Sequence, residues 1–128
     1  MKTYKPTQIL IAADKEEGLG AAFAEVLMDA GFTSTLVGRS DNLLYELGGG
    51  SYSILILTNN DLSPDEIIQL TIQIRYFHEN IKIIVLSGWT SDEFPERVIK
   101  IGASYFFSLP VEPEELTTCV QNIMLAQG

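Results

Sequence analysis

Apolar runs alternate with amphipathic stretches five times along this chain, and the alternation predicts strands and helices in strict succession. The apolar runs predict strands over residues 8–13, 33–38, 53–58, 82–86 and 104–107, and the four aliphatic residues Ile54 to Leu57 read as a strand buried on both faces. Between the first two, residues 16–30 place Leu19, Phe23, Val26, Leu27 and Ala30 on one helical face, with Gly31 as the stop signal. A short second helix is expected over 41–47 behind Ser40, a suitable N-cap, and Gly48-Gly49-Gly50-Ser51 reads as the loop after it. Ser63-Pro64-Asp65-Glu66 combines an N-cap serine, a proline at the first helical position and a capping-box glutamate, so a third helix starts there and ends near His78. On it Ile67, Leu70 and Ile74 can face a sheet, while Ile68 and Ile72 form a second stripe that is either core or an exposed contact patch. Thr90 and Glu93 have capping-box spacing, yet Pro95 would then fall about a turn inside the helix. The fourth helix is therefore expected to start late, with Pro95 in its first turn, and to run to Ile101 before Gly102. The last helix opens at Glu112-Pro113-Glu114-Glu115 and carries Leu116, Val120, Ile123 and Met124 at helical spacing.

Successive βα units imply a parallel sheet covered on both sides, the three-layer, doubly wound α/β architecture of the flavodoxin-like kind, with five strands in order 2-1-3-4-5. A length of 128 residues, 46% of them hydrophobic, suits a single domain over residues 1–128. In such sheets ligands and chemistry gather at the carboxyl ends of the strands. Those ends are Ala13-Asp14, Thr58-Asn59-Asn60, Ser87-Gly88 and Ser108-Leu109-Pro110. Neutral side chains dominate where a catalyst would place charge.

Composition narrows the partners. A net charge of −9 with eight scattered Lys and Arg repels nucleic acid, and no basic patch offsets it. The apolar run at the start, residues 9–13, is too short for a secretory signal or a membrane span, so a cytoplasmic protein without membrane attachment is expected. One cysteine, Cys119, excludes an intramolecular disulfide and a cysteine-based metal cluster, and its place in an apolar helical repeat indicates a packed thiol.

Four segments carry a family likeness: "ILIAAD" at the first strand, "YSILILT" at the third, "IIVLSG" at the fourth and "GASYFFSLPVEPEEL" at the fifth strand and last helix. Over essentially its whole length the chain resembles a response-regulator receiver domain of the chemotaxis-regulator-like kind. Such domains take a phosphoryl group from a histidine kinase onto an aspartate at the end of strand three. There Mg²⁺ is held by acidic residues, beside a lysine at the end of strand five. In register, the resemblance puts Thr58 at the aspartate position, Ala13 and Asp14 at the acidic pair and Leu109 at the lysine. Ser87 matches the hydroxyl switch residue and Phe106 the aromatic one. Of the charged positions only Asp14 survives. An aspartyl phosphate needs a carboxylate nucleophile, and Mg²⁺ needs carboxylates plus the phosphate it neutralises. A lysine left without them would be a half-buried cation, so its replacement by leucine relieves a desolvation cost. The expectation is a degenerate pseudo-receiver with a pocket of Ala13, Asp14, Thr58, Asn60, Ser87 and Leu109. It would bind no Mg²⁺ and no cofactor, catalyse nothing, and act through contacts with a signalling protein or kinase. The resemblance implies Trp89, Phe94 and Phe106 as candidates for the contact surface.

Two other readings keep specific residues in play. A phosphorelay receiver with an unusual acceptor would use the Thr58 hydroxyl, with Asp14 as base, or Asp61 beyond the strand end. No cation is supplied to either. A small-molecule-sensing pseudo-receiver would use a neutral pocket under Trp89. His78, at a helix end, is better placed to complement the helix dipole than to relay phosphate. Gly18-Leu19-Gly20 faintly resembles a dinucleotide fingerprint, but it lacks the third glycine and follows Asp14, Glu16 and Glu17, which would repel a pyrophosphate.

Overall fold

Strand alternation sends the side chains of each central strand to two separate cores, and the helices sort themselves accordingly. A computed structural model describes residues 8–13, 18–38, 41–59, 62–91 and 93–127. The elements run β1 (Ile9–Ala12), α1 (Leu19–Asp29), β2 (Ser34–Val37), α2 (Asp41–Gly49), β3 (Ile54–Asn59), α3 (Pro64–Phe77), β4 (Lys82–Ser87), α4 (Phe94–Lys100), β5 (Tyr105–Ser108) and α5 (Pro113–Gln127). All sheet pairings are parallel, in the order β2-β1-β3-β4-β5. On one side Leu10, Leu55, Leu57, Ile83 and Val85 meet Leu43 and Leu47 of α2, Ile67 and Ile74 of α3, and Phe94 and Val98 of α4. On the other, Ile9, Ile11, Ile54, Ile56 and Ile84 meet Phe23 and Leu27 of α1 and Leu116, Val120 and Ile123 of α5. The doubly wound architecture expected from the sequence is therefore present. Among the described residues, no helix is long and apolar enough to cross a membrane.

Local signals explain most boundaries. The capping box of α3 is complete: the Glu66 amide donates to Ser63 Oγ at 3.2 Å and the Ser63 amide to Glu66 Oε1 at 3.0 Å. Helix α4 starts late, as expected, with Pro95 in its first turn. Helix α2, however, continues through Gly48 and Gly49, where a loop was expected. Its anchors Leu43 and Leu47 are buried, so docking on the sheet outweighs a cost of about 1 kcal/mol per glycine. The second α3 stripe divides: Ile68 is buried in the core and Ile72 is exposed. The predicted first turn of α1, at residues 16–17, lies outside the described residues. Gly18 caps that helix at φ +72, and a Cβ on Gly20 would stand 2.5 Å from Leu36 Cδ1 and 2.7 Å from the Ala13 Cβ. Both glycines of the fingerprint-like stretch thus serve a turn and a close packing contact.

One side chain closes the end of the domain opposite the strand carboxyl ends. Arg75, in the last turn of α3, donates through Nη1 to the carbonyls of His78 (3.2 Å), Glu79 (2.9 Å) and Ile81 (2.7 Å). Its Nε and Nη2 donate to the Gly102 carbonyl at 3.2 and 2.7 Å. The guanidinium thereby ties the α3–β4 turn to the end of α4, and its burial lowers its pKa. Gly102 has φ +131, and a Cβ there would lie 3.1 Å from Arg75 Cγ, so glycine is required on two counts. In the other core Cys119 is buried, and desolvation pushes its thiol up to about 11.

Two outcomes follow from these contacts. Replacing Arg75 with Met strands several carbonyls at once and should lower stability by about 2 kcal/mol in urea denaturation, with Arg75→Lys recovering little. A variant as stable as the parent would refute the clamp. For Cys119 the fold favours the neutral thiol. That stabilisation is complete below the ordinary thiol pKa and is lost as the pH rises toward about 11. At pH 8 the native protein should react with Ellman's reagent at least about tenfold more slowly than the protein unfolded in guanidinium.

Candidate functional site

The carboxyl ends of β1, β3, β4 and β5 converge at one edge of the sheet, where the hydroxyls of Thr58 and Ser87 are turned into the protein and Ser108 is exposed. Thr58 and Ser87 are both fully buried. Thr58 Oγ1 donates to the Ala12 carbonyl of the neighbouring strand at 3.0 Å, a bond along the sheet that leaves the hydroxyl no exposed surface. Ser87 Oγ accepts the Trp89 amide at 2.9 Å, which folds the chain back immediately after β4. The Ser87 carbonyl accepts the Leu109 amide at 3.0 Å, fastening the loop after β5 to the same point. Ala13 is fully buried, and its amide donates to the Val37 carbonyl at 3.1 Å. Leu109 packs its side chain against the α1/α5 core. Asp14, Asn60 and Asp61 lie outside the described residues.

Four of the six predicted pocket residues are thus brought to one edge: a methyl, two buried hydroxyls and an aliphatic chain. None of the four carries charge. A divalent cation needs oxygen donors aimed into a shared cavity, but the Thr58 hydroxyl is directed at a backbone carbonyl and positions 13 and 109 offer only carbon. Among the described residues of this edge, no side chain offers a carboxylate to Mg²⁺. Among the described residues, no three His, Cys, Asp or Glu side chains are placed to hold a metal ion.

The predicted contact surface needs one correction. Phe94 is only 1% exposed, so it cannot present a surface to a partner. It is the first residue of α4, and Val98, four residues on, points the same way into the core. Its ring meets Phe106 edge to face, with centroids 5.9 Å apart and planes at 84°. Phe106 is half-buried against the same core. Trp89 is 48% exposed, its ring on the surface and its amide pinned to Ser87. Tyr105 and Ile99 are also exposed near that face but were not singled out from the sequence. For Tyr105 the signal was its place in an edge strand; for Ile99 it was a position off the Phe94–Val98 stripe.

No family model matches the sequence, and no curated protein matches it. Solved structures do. A two-component response regulator from Clostridium difficile superposes with a TM-score of 0.83 at 19% identity, covering 95% of this chain and 98% of that one. An orphan response regulator of H. pylori gives 0.77 at 16% identity, covering 92% and 98%. An atypical orphan response regulator, described as revealing a new phosphorylation-independent regulatory mechanism, gives 0.75 at 16%, covering 90% and 92%. The fold is therefore the one these receiver domains share.

The hydroxyl bond generates a prediction. Thr58→Val should cost about 1 kcal/mol, because the Ala12 carbonyl loses its partner while the shape is kept. Thr58→Asp should cost more, since among the described residues it buries a carboxylate with no cation beside it. Chemical denaturation ranks the two, and an aspartate variant as stable as the valine one would contradict the described geometry.

Proposed function

We propose that this chain is a signalling module with a receiver fold that works through protein contacts and does not take a phosphoryl group. The observation that carries the reading is the Thr58 hydroxyl, buried and bonded to the Ala12 carbonyl at the position where the resemblance expects a phosphoacceptor carboxylate. Leu109, packed into the core where the resemblance expects a lysine, supports it from the other side of the edge. The two losses are chemically coherent, because the cation has no role once the anion is gone. The likeness to an orphan regulator described as phosphorylation-independent is a further support. On this reading the module is not an enzyme, binds neither Mg²⁺ nor cofactor, and has another protein as its partner. Nucleic acid is disfavoured by a net charge of −9. Trp89 is the exposed aromatic nearest the neutral edge and the first candidate for contact.

Acetyl phosphate with Mg²⁺ tests this directly. Mass spectrometry should show no added phosphoryl group, and titration with beryllofluoride and Mg²⁺ should leave Trp89 fluorescence unchanged. A saturable, Mg²⁺-dependent response would overturn the proposal. Asp14→Asn and Asp61→Asn would then identify the carboxylate responsible.

A further inference from the structure

Helix α3 carries a groove and an aromatic knob on one face. Glu66, Gln69, Gln73, Tyr76 and Phe77 are three and four residues apart and all exposed, so they share one stripe of the helix surface turned to solvent. At the carboxyl end Tyr76 is 82% and Phe77 68% exposed, and their rings meet edge to face with centroids 5.0 Å apart, forming a single projecting block. Toward the amino end lies a groove of about 380 Å³ lined by Leu62, Asp65, Glu66, Gln69, Leu70 and Gln73. Leu62 and Leu70, half-buried against the core, supply its apolar part. Ile72, the exposed member of the second α3 stripe, borders the face between groove and knob.

The middle of this face is neutral. From Ile67 to Phe77 the one charged residue is Arg75, and its guanidinium is turned onto backbone carbonyls of Ile81 and Gly102. Asp65 and Glu66 stand in the first turn of α3, and His78 and Glu79 follow its end. On the helices of the same layer, Glu46 of α2 and Glu96, Arg97 and Lys100 of α4 bring both signs to the flanks. A basic partner finds no counter-charge along the stripe. For a second chain of net charge −9, a neutral face is the place of least repulsion.

Groove and knob are also arranged to fit each other. Their centres lie about 11 Å apart along the helix, at 1.5 Å per residue. A two-fold axis between them, passing near Gln73, sets the knob of each copy in the groove of the other. That antiparallel pairing keeps the acidic first turns of the two copies about 20 Å apart, well beyond a Debye length of about 8 Å. It also brings each Tyr76 hydroxyl, a donor, toward the Gln69 amide and Glu66 carboxylate of the other copy. Four aromatic side chains and the groove walls they cover amount to about 1,200 Å², the low end of specific interfaces.

We propose that α3 is the interface of a weak symmetric dimer of this chain, with Tyr76 and Phe77 of each copy seated in the groove of the other. This goes beyond the phosphate-free reading and does not depend on it.

Sedimentation velocity of the full chain, without Mg²⁺ or phosphodonor, tests the dimer over about 5 to 500 μM, where a small interface should dissociate. The sedimentation coefficient should rise with concentration from the monomer to the dimer value, and added salt should strengthen association by screening two like-charged chains. Tyr76→Glu should weaken it at least about tenfold. Tyr45→Glu, the same change at an equally exposed tyrosine on α2, should leave it unchanged. Gln73→Glu and Gln73→Lys should each weaken it by setting like charges across the axis. An equimolar mixture of those two variants should recover a dimer of one copy of each, which also shows that both are folded. A monomer at every concentration, weakening by salt, equal effects of the two tyrosine changes, or no recovery on mixing would overturn the proposal. A chain that dimerises in this way and still labels with acetyl phosphate loses only the earlier reading.

Discussion

A hydroxyl without solvent exposure has to find its partner inside the protein, and at the end of β3 that requirement shapes the surroundings. The strand runs between two helical layers, so Thr58 arrives at the sheet edge with no exposed surface. It meets the requirement sideways, on the Ala12 carbonyl one strand over. A carboxylate at this place could not do so, because an anion cannot donate to a carbonyl. Among the described residues, this edge is thus held together by its own hydrogen bonds. Ser87 works in the same way, receiving the Trp89 amide on its side chain and the Leu109 amide on its carbonyl. The loops that follow β4 and β5 are thereby both fastened to the last residue of β4.

Much of this was legible in the residues. Aliphatic runs located β1, β3 and β4 to within a residue, because a strand buried on both faces needs apolar residues at every position, and the shorter apolar segments at Leu36-Val37 and Tyr105-Phe106-Phe107 located the less buried β2 and β5. The capping box at Ser63 and the late start at Pro95 were equally legible, since each depends on chemistry within a few residues. The end of α2 was not. Gly48 and Gly49 look like a loop by local preference, and only the docking of Leu43 and Leu47 on the sheet keeps them helical. That Ala13, Thr58, Ser87 and Leu109 stand together at the strand carboxyl ends was legible from where the predicted strands end. The direction of the Thr58 hydroxyl was not, because it depends on a neighbour 46 residues away in sequence.

The contact surface shows the same division. Trp89, Phe94 and Phe106 look alike as aromatic residues near one edge, yet the first is half-exposed, the second buried and the third packed against the core. Phe94 and Val98 formed a visible helical pair, and giving that pair to the core would have removed Phe94 from the surface.

Arg75 has a mechanical consequence as well as an energetic one. Its bonds to Gly102 fix the carboxyl end of α4 against the turn that follows α3. The other end of this seven-residue helix begins at Glu93, in a left-handed conformation with no side-chain cap. Helix α4 is therefore held at both ends by different means, at its carboxyl end by the guanidinium and at its amino end by the buried Phe94 ring and the bond from the Phe94 amide to the Ser91 carbonyl. The Phe94 ring meets Phe106, so the same side chain that anchors the start of α4 also joins it to the edge strand β5.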